Sequence, residues 1–432
     1  RDVERSRGLG DVYKRQGRDR LKAIEVYDIA MHGSDAVLAG GVRRSATICL
    51  FSPDDEEMLK AKTGNWFIDN PQRGRSNNSA VIVRDEITKE DFKTIMGSIK
   101  EFGEPGFFFV VDKDITTNPC VEIGMYPQID GESGWQGCNL TEINGGKCTT
   151  DDECYKACRA GAILGTLQAG YTDVHYLREI WKETTEKDAL IGVSMTGIGS
   201  AAVLQMDMKA AASIVTKENA RVAKIIEINP SARCTTVKPA GTTSLVLGTS
   251  SGIHAWHNDY YVRRMRVGKN EAIYDYLLAH HDELIEDEFF RPHDTAVISI
   301  PQKSPKGSIL RTESPFDTLE RVKRVAQEWI RPGHRRGSNT HNVSATISLK
   351  ENEWKKAGDW MWENREYYNG LSVLPYNGGT YTQAPFEDIN EAKYNKMSKV
   401  LSDIDLTKVV ELDDNTDLSG ELACAGGACE IV

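Results

Sequence analysis

Thr117-Asn118-Pro119-Cys120-Val121-Glu122 is the stretch on which the reading of this chain turns. Asn118, Cys120 and Glu122 alternate, so in an extended loop all three would point to one side and bring an amide, a thiol and a carboxylate together. Sulfur can act on a C–H bond, a carboxylate can take a hydroxyl proton, and an amide can hold a neighbouring hydroxyl. Taken alone, the stretch fits a plainer reading better, because a Cys beside Pro is more often a buried small hydrophobe than a catalyst. The rest of the chain decides between the two.

With 432 residues, 40% of them hydrophobic, the chain can bury one large core or two smaller ones. A formal charge of -11 argues against a protein that grips nucleic acid by its phosphates, which would need a basic face. No stretch reads as a membrane span: 189–206 lacks charges but carries Ser194, Thr196, Ser200, Gln205 and three glycines. Nine cysteines, an odd number with no signal peptide, indicate reduced thiols in the cytoplasm, a few of them reactive.

From Leu21 onward helical patterns alternate with short β-branched or aromatic runs, the signature of parallel α/β units. The expected strands are Ala46 to Phe51, Ala80 to Val83, Gly106 to Val111, Leu190 to Met195, Ala296 to Ile300 and Val343 to Leu349, most of them short and apolar as buried parallel strands are. A helix is expected from Pro315, capped by Ser314, with Leu319, Val322, Ala326 and Trp329 on one face, and another over Lys209 to Ile228.

Further blocks carry chemistry. Cys138, in Gly137-Cys-Asn-Leu-Thr-Glu-Ile-Asn144, adds a second thiol close in sequence to Cys120, without the two-residue gap of a zinc knuckle. In Thr235-Thr-Val-Lys-Pro-Ala-Gly-Thr-Thr-Ser244 a strand runs into a hydroxyl-rich turn. Its backbone N–H groups and the hydroxyls of Thr242, Thr243 and Ser244 could hold phosphate oxygens with Lys238 lending charge, although an ordinary polar turn explains the block equally well. Cys424 and Cys429 flank a glycine pair just before the C-terminus, where such a tail can exchange an interior disulfide with an external reductant. Cys148, Cys154 and Cys158 fit no common zinc spacing and read as incidental thiols at a helix start, so no metal site is expected.

In this order the blocks resemble class II ribonucleotide reductases, most closely the monomeric adenosylcobalamin-dependent ribonucleoside-triphosphate reductases. The likeness runs from about residue 25 to the C-terminus. It also rests on Ala39-Gly-Gly-Val-Arg-Arg-Ser-Ala46, Ser76-Asn-Asn-Ser79, Gly103-Glu-Pro-Gly106, Ser251-Gly-Ile-His254 and Leu374-Pro-Tyr-Asn-Gly-Gly379. The resemblance implies a ten-stranded α/β barrel of the ribonucleotide reductase and glycyl radical enzyme type, with Cys120 at the tip of a loop inside it. It implies reduction of ribonucleotides to deoxyribonucleotides with adenosylcobalamin as cofactor and a thiyl radical on Cys120. Glu122 would accept the 3′-hydroxyl proton, Asn118 would position the substrate, and Cys138 would be half of a reducing dithiol. Cys424 with Cys429 would re-reduce the disulfide, drawing on thioredoxin or a similar dithiol. Lys238, Ala240, Gly241, Thr242, Thr243 and Ser244 would bind the substrate phosphates. Arg43, Arg44 and Ser45 would form the loop that links a deoxynucleotide effector to base choice.

The chain is expected to divide into a non-native leader over 1–20, which has no apolar periodicity and no cleavage-site pattern, the partial barrel that the resemblance implies over 21–401, and a flexible acidic tail over 402–432. The Cys138 partner and most of the effector site are expected upstream, so the fragment alone is expected to be inactive. An Arg-Val-x-Gly-Tyr-like glycyl-radical site is absent, and Leu374-Pro375-Tyr376 offers one tyrosine where a di-iron-served class has an adjacent pair. Tyr367-Tyr368 lies just upstream at an expected helix end. Asp173 and His175 share the spacing of a cobalamin-binding Asp-x-His signature without its glycine and read as surface residues. Two alternatives stand beside this reading: a diphosphate reductase with a separate radical-generating subunit, and a non-catalytic thiol or zinc-binding scaffold.

Overall fold

A computed structural model describes residues 20–35, 46–289, 291–376, 378 and 382–411. Short apolar runs open the architecture as parallel strands. β1 (Thr47–Phe51), β2 (Ser76–Val83) and β3 (Gly106–Val110) pair in that order, with Phe51 opposite Ala80 and Ile82 opposite Phe109. Phe107, Phe108, Phe109 and Val110 are all buried, as expected of a parallel strand covered on both faces. The crossover from β2 to β3 is helix α1 (Lys89–Phe102). Thr88 and Asp91 form a reciprocal capping box at its start, and Gly103, at φ 73°, ends it in the left-handed region. Phe92, Ile95, Met96 and Ile99 recur at helical spacing and face the sheet, the Phe92 ring meeting Phe107 edge-on at 5.2 Å.

A second parallel group follows. β4 (Leu140–Asn144), β5 (Gly192–Thr196) and β6 (Thr235–Thr236) pair side by side. A parallel bridge from Val237 to Val343 carries the group on to β10 (Thr346–Leu349), which pairs with β11 (Ser372–Pro375). Crossovers α2 (Asp151–Ala169) and α4 (Met208–Ile225) pack on each other, with α3 (Glu179–Asp188) between them in sequence. The Phe109 N–H donates to Asn369 O at 2.6 Å, joining the first group to the approach of β11. Among the described residues, eight strands therefore stand in parallel groups of three and five, an α/β arrangement consistent with part of the expected barrel.

Ala296 to Ile300 corrects one expectation. These residues belong to β9 (Thr295–Lys303), which is antiparallel between β7 (Tyr260–Gly268) and β8 (Ile285–Asp287), while β12 (Phe386–Asp388) pairs antiparallel with the other edge of β7. The physical reason is that β9 is only partly covered, and Ile298, Ser299 and Ile300 are half-buried, so an apolar run here marks one face of an antiparallel sheet. The helix from Pro315 is as expected: after α5 (Ala272–His280), α6 (Pro315–Val325) starts on a Ser314–Asp317 capping box, and a π turn over Ala326–Ile330 continues it with Trp329 fully buried. Among the described residues no helix is long and apolar enough to cross a membrane.

Candidate active site

After β3 the chain forms a hairpin in which Thr116 pairs with Met125 and Thr117 with Gly124. Its tip, 118–123, is not the extended loop that alternation suggested. The Val121 N–H donates to Asn118 O at 2.9 Å, and Val121 takes φ 63°, so the backbone turns sharply beside Cys120. The Ile123 N–H donates to Asn118 Oδ1 at 3.0 Å, and the Thr117 hydroxyl donates to Ile123 O at 2.9 Å. The trio is thus gathered by a hydrogen-bonded turn.

Both strand groups hold this tip. From β2, the Asn77 side-chain amide donates to Pro119 O at 3.0 Å. From β6, the Thr236 hydroxyl donates to Glu122 O at 2.7 Å, and the Asn342 N–H donates to the same oxygen at 3.0 Å. The Gly124 N–H donates to His341 Nδ1 at 3.1 Å, which leaves Nε2 as the donor to Ile191 O at 2.9 Å. Burial, reinforced by Arg233, holds the His341 imidazole down at about 3, so it is neutral. Arg233 Nε donates to Gly124 O at 3.0 Å, and its Nη2 meets Asp188 Oδ2 at 2.7 Å in a buried ion pair. Gln136 donates to the same carboxylate oxygen at 2.9 Å and accepts from the Tyr126 N–H at 2.8 Å. Gly124 must be glycine, because a Cβ there would lie 2.2 Å from Thr340 O.

Within this frame Asn118, Glu122, Cys138 and Lys238 come together. Glu122 is 1% exposed, and its Oε2 has no hydrogen-bond partner. Burial raises its carboxyl above the usual range, opposed by a hydrogen bond from Asn118 and by the charge of Lys238. Cys138 packs beside Ile123 and Leu190, and its thiol is pushed up to about 12, first by burial and then by Glu122, with Lys238 acting the other way. The phosphate-cradle block lies alongside. Gly241–Val246 is a short helix with Ala240 at its N-cap and no side-chain cap, and the Lys238 N–H donates to Ser194 Oγ at 3.0 Å. Glu142 on β4, which sequence reasoning passed over, accepts from that Ser194 hydroxyl at 3.3 Å and bonds with Thr243.

Cys120 is half-buried and lines a pocket holding about 820 Å³ of space not filled by atoms, open solvent included. Asn78, Glu104 and Pro239, the last just before the cradle, also line it.

The remaining candidates fall elsewhere. Arg43, Arg44, Ser45, Cys424 and Cys429 lie outside the described residues. Cys148, Cys154 and Cys158 are buried at the start of α2, and the Cys154 thiol is pushed up to about 12. The described residues bring together no three His, Cys, Asp or Glu side chains able to hold a metal ion. Asp173 and His175 are exposed, as expected. Tyr368 is buried with its hydroxyl donating to Met361 O at 2.6 Å. Sequence reasoning missed Asp188, Arg233, His341, Asn342 and also Asn339, whose side-chain amide donates to Met125 O on the hairpin at 3.1 Å. The polar run Asn339-Thr-His-Asn342 directly before an apolar strand was the one local signal for the last three.

The fold is that of ribonucleotide reductases. The chain superposes on a crystal structure of a B12-dependent (class II) ribonucleotide reductase with a TM-score of 0.72 and 22% identity, over 90% of this chain and 58% of that one. The Actinobacillus ureae class Id ribonucleotide reductase alpha subunit gives 0.52 and 14%, over 82% and 76%. In sequence the chain is similar to particular proteins named adenosylcobalamin-dependent ribonucleoside-triphosphate reductase. That of Lactobacillus delbrueckii subsp. bulgaricus is 25% identical over 98% of this chain and 62% of its own length, and that of Lactobacillus leichmannii is 26% identical over the same shares. The chain thus spans about three-fifths of the length of these relatives. No family model matches it.

Proposed function

We propose that this chain carries the chemistry of ribonucleotide reduction, converting ribonucleoside triphosphates to 2′-deoxyribonucleotides in the cytoplasm through a thiyl radical on Cys120. The observation that supports this best is the buried hairpin tip, where Cys120 and the Asn118–Glu122 pair share one turn beside the Cys138 thiol.

Adenosylcobalamin, named in the relatives, is the cofactor in this reading. The residues present fit such a group at its reacting end, since Cys120 lines a pocket open to solvent through which it could be approached. When bound, it supplies cobalt–carbon homolysis as the source of the radical. Cys120 then takes the ribose 3′ hydrogen atom and becomes a thiol, while Glu122 accepts the 3′-hydroxyl proton and Asn118 keeps the carboxylate oriented. The 2′ oxygen leaves as water. Two electrons and two hydrogens come from a thiol pair of which Cys138 is one, one hydrogen leaving in the water and one going to C2′, so that a disulfide is left; Cys120 then returns its hydrogen to C3′ and Glu122 its proton to the 3′ oxygen. Lys238 and the turn from Ala240 to Ser244 hold the phosphates. Cys424 and Cys429 pass reducing equivalents from thioredoxin or a like dithiol, and Arg43, Arg44 and Ser45 answer a deoxynucleotide effector.

The test is deoxynucleotide formation by the chain extended to the full length of its relatives, comparing CTP with CDP, with and without adenosylcobalamin, under a thioredoxin reducing system. Product from CTP only with the cobalamin, and none from Cys120→Ser, is the expected result. Product that instead requires a di-iron partner subunit overturns the cofactor assignment. Undiminished turnover by Cys120→Ser overturns the radical site.

A further inference from the structure

Glu142 stands at the edge of the phosphate turn, and the reaction above gives it no part. On β4 the residue before it, Thr141, turns its hydroxyl to Gly161 O on α2 at 3.1 Å. Alternation along the strand points Glu142 to the opposite face, the one where Leu140 packs with Ile123 of the hairpin tip. There its Oε1 accepts from the Ser194 hydroxyl at 3.3 Å, and the Ser194 oxygen in turn accepts from the Lys238 N–H at 3.0 Å. The carboxylate also holds the Thr243 hydroxyl. The charged groups that act on it are Lys238, just after β6, and Glu122 on the hairpin tip. Neither β5 beside it nor the Gly241–Val246 helix carries an ionisable side chain.

The three hydroxyls of the turn are not equivalent. Ser244 is buried and donates to Gly241 O at 3.0 Å, so its hydrogen is committed inside the turn. Thr242 is exposed and Thr243 half-buried. A hydroxyl has one hydrogen, and an ionised carboxylate only accepts. While Glu142 is charged, the Thr243 hydrogen is therefore held by Glu142, and only oxygen lone pairs face an arriving phosphate. Protonation of Glu142 reverses this. Its own O–H then donates to Thr243 Oγ1, Oε1 still accepts from Ser194, and the Thr243 hydrogen is released to turn to an anion. The same proton removes the repulsion between Glu142 and the phosphate. Burial, with Glu122 adding to it, already raises the Glu142 carboxyl above its ordinary 4.5, against Lys238 and the two hydroxyls.

We propose that Glu142 is a positioning residue that links triphosphate binding to a proton: the substrate phosphates enter together with one proton, which goes to Glu142 and releases the Thr243 hydroxyl to donate to them. This rests on reading the turn from Lys238 to Ser244 as the phosphate site.

Calorimetry of CTP binding to the unaltered chain at about pH 8, where a terminal phosphate is ionised, tests this without turnover. Titration in two buffers of different ionisation enthalpy counts the protons taken up. About one proton per CTP is expected, with affinity falling about tenfold for each pH unit above the Glu142 titration. In Glu142→Gln the side-chain amide donates to Thr243 and its carbonyl accepts from Ser194, as the protonated acid would. That variant should take up no proton and bind CTP at least tenfold more tightly than the unaltered chain at this pH. Binding with no proton uptake, uptake that survives Glu142→Gln, or binding that needs magnesium in place of the proton overturns the inference and leaves the phosphate reading standing. No CTP binding at any pH overturns both. Because the proton count of the unaltered chain needs no variant, misfolding of Glu142→Gln does not rescue the inference.

Discussion

Glu122 must be ionised to accept a proton, yet burial raises its carboxyl above 4.5, its ordinary value. Turnover should therefore rise with pH along a limb lying above 4.5, as the carboxylate forms. Glu122→Gln should abolish that limb and lower kcat by about 10²–10⁴-fold, and a pH–rate profile that keeps the limb would assign it to another group. The His341 imidazole is shifted in the other direction, downward. Its imidazole is ordinarily at 6.5 and is held at about 3 in the fold, so the unfolded chain takes up the proton first. The stability it contributes is present above 6.5 and is lost as pH falls toward 3. Denaturant melts between pH 7 and 5 should show a shallower loss in His341→Gln than in the unaltered chain. Cys120, Glu122, Cys138 and Lys238 were legible in sequence because their chemistry is local to a short motif. His341 and Arg233 were not, since each matters only through a main-chain atom of a distant hairpin.

At the level of elements, the α6 cap is the simplest quantity to test. Ser314→Ala removes one half of a reciprocal cap and should destabilise by about 1 kcal/mol, read as a lower Tm with unchanged far-UV circular dichroism. Phe92→Ala empties the contact between α1 and the rings of Phe107 and Phe109, and should cost about 3–5 kcal/mol in an equilibrium denaturant melt. Both helices could be read from the sequence because capping residues and a 3.6-residue period are local signals. The sheet of β7, β8, β9 and β12 could not. Apolar runs report burial but not the direction of the neighbouring strand, and β12 reaches its partner from more than a hundred residues downstream.

Across the whole molecule, the Asp188–Arg233 pair ties α3 and the approach of β6 to the hairpin. Asp188→Asn leaves the guanidinium buried without its counter-charge and should destabilise by about 3–5 kcal/mol, with hydrogen exchange rising first at the Gly124 and Ile123 amides. Unchanged protection there would detach the pair from the hairpin. The order of the parallel strands was legible only as an α/β alternation, because the two groups are joined by long-range bonds, from the Phe109 N–H to Asn369 O and from Arg84 to Tyr368 O and Asn369 Oδ1, that no local pattern encodes. The way the tip is held also has a temporal side. Gly124 waits on His341, 217 residues further along, and Asn342 must arrive before Glu122 O has both of its donors. Contacts of such span form late in folding. During synthesis, then, Cys120 is an ordinary thiol on an unanchored loop for most of the chain's emergence, and the environment proposed to let it carry a radical comes into being among the last acts of folding.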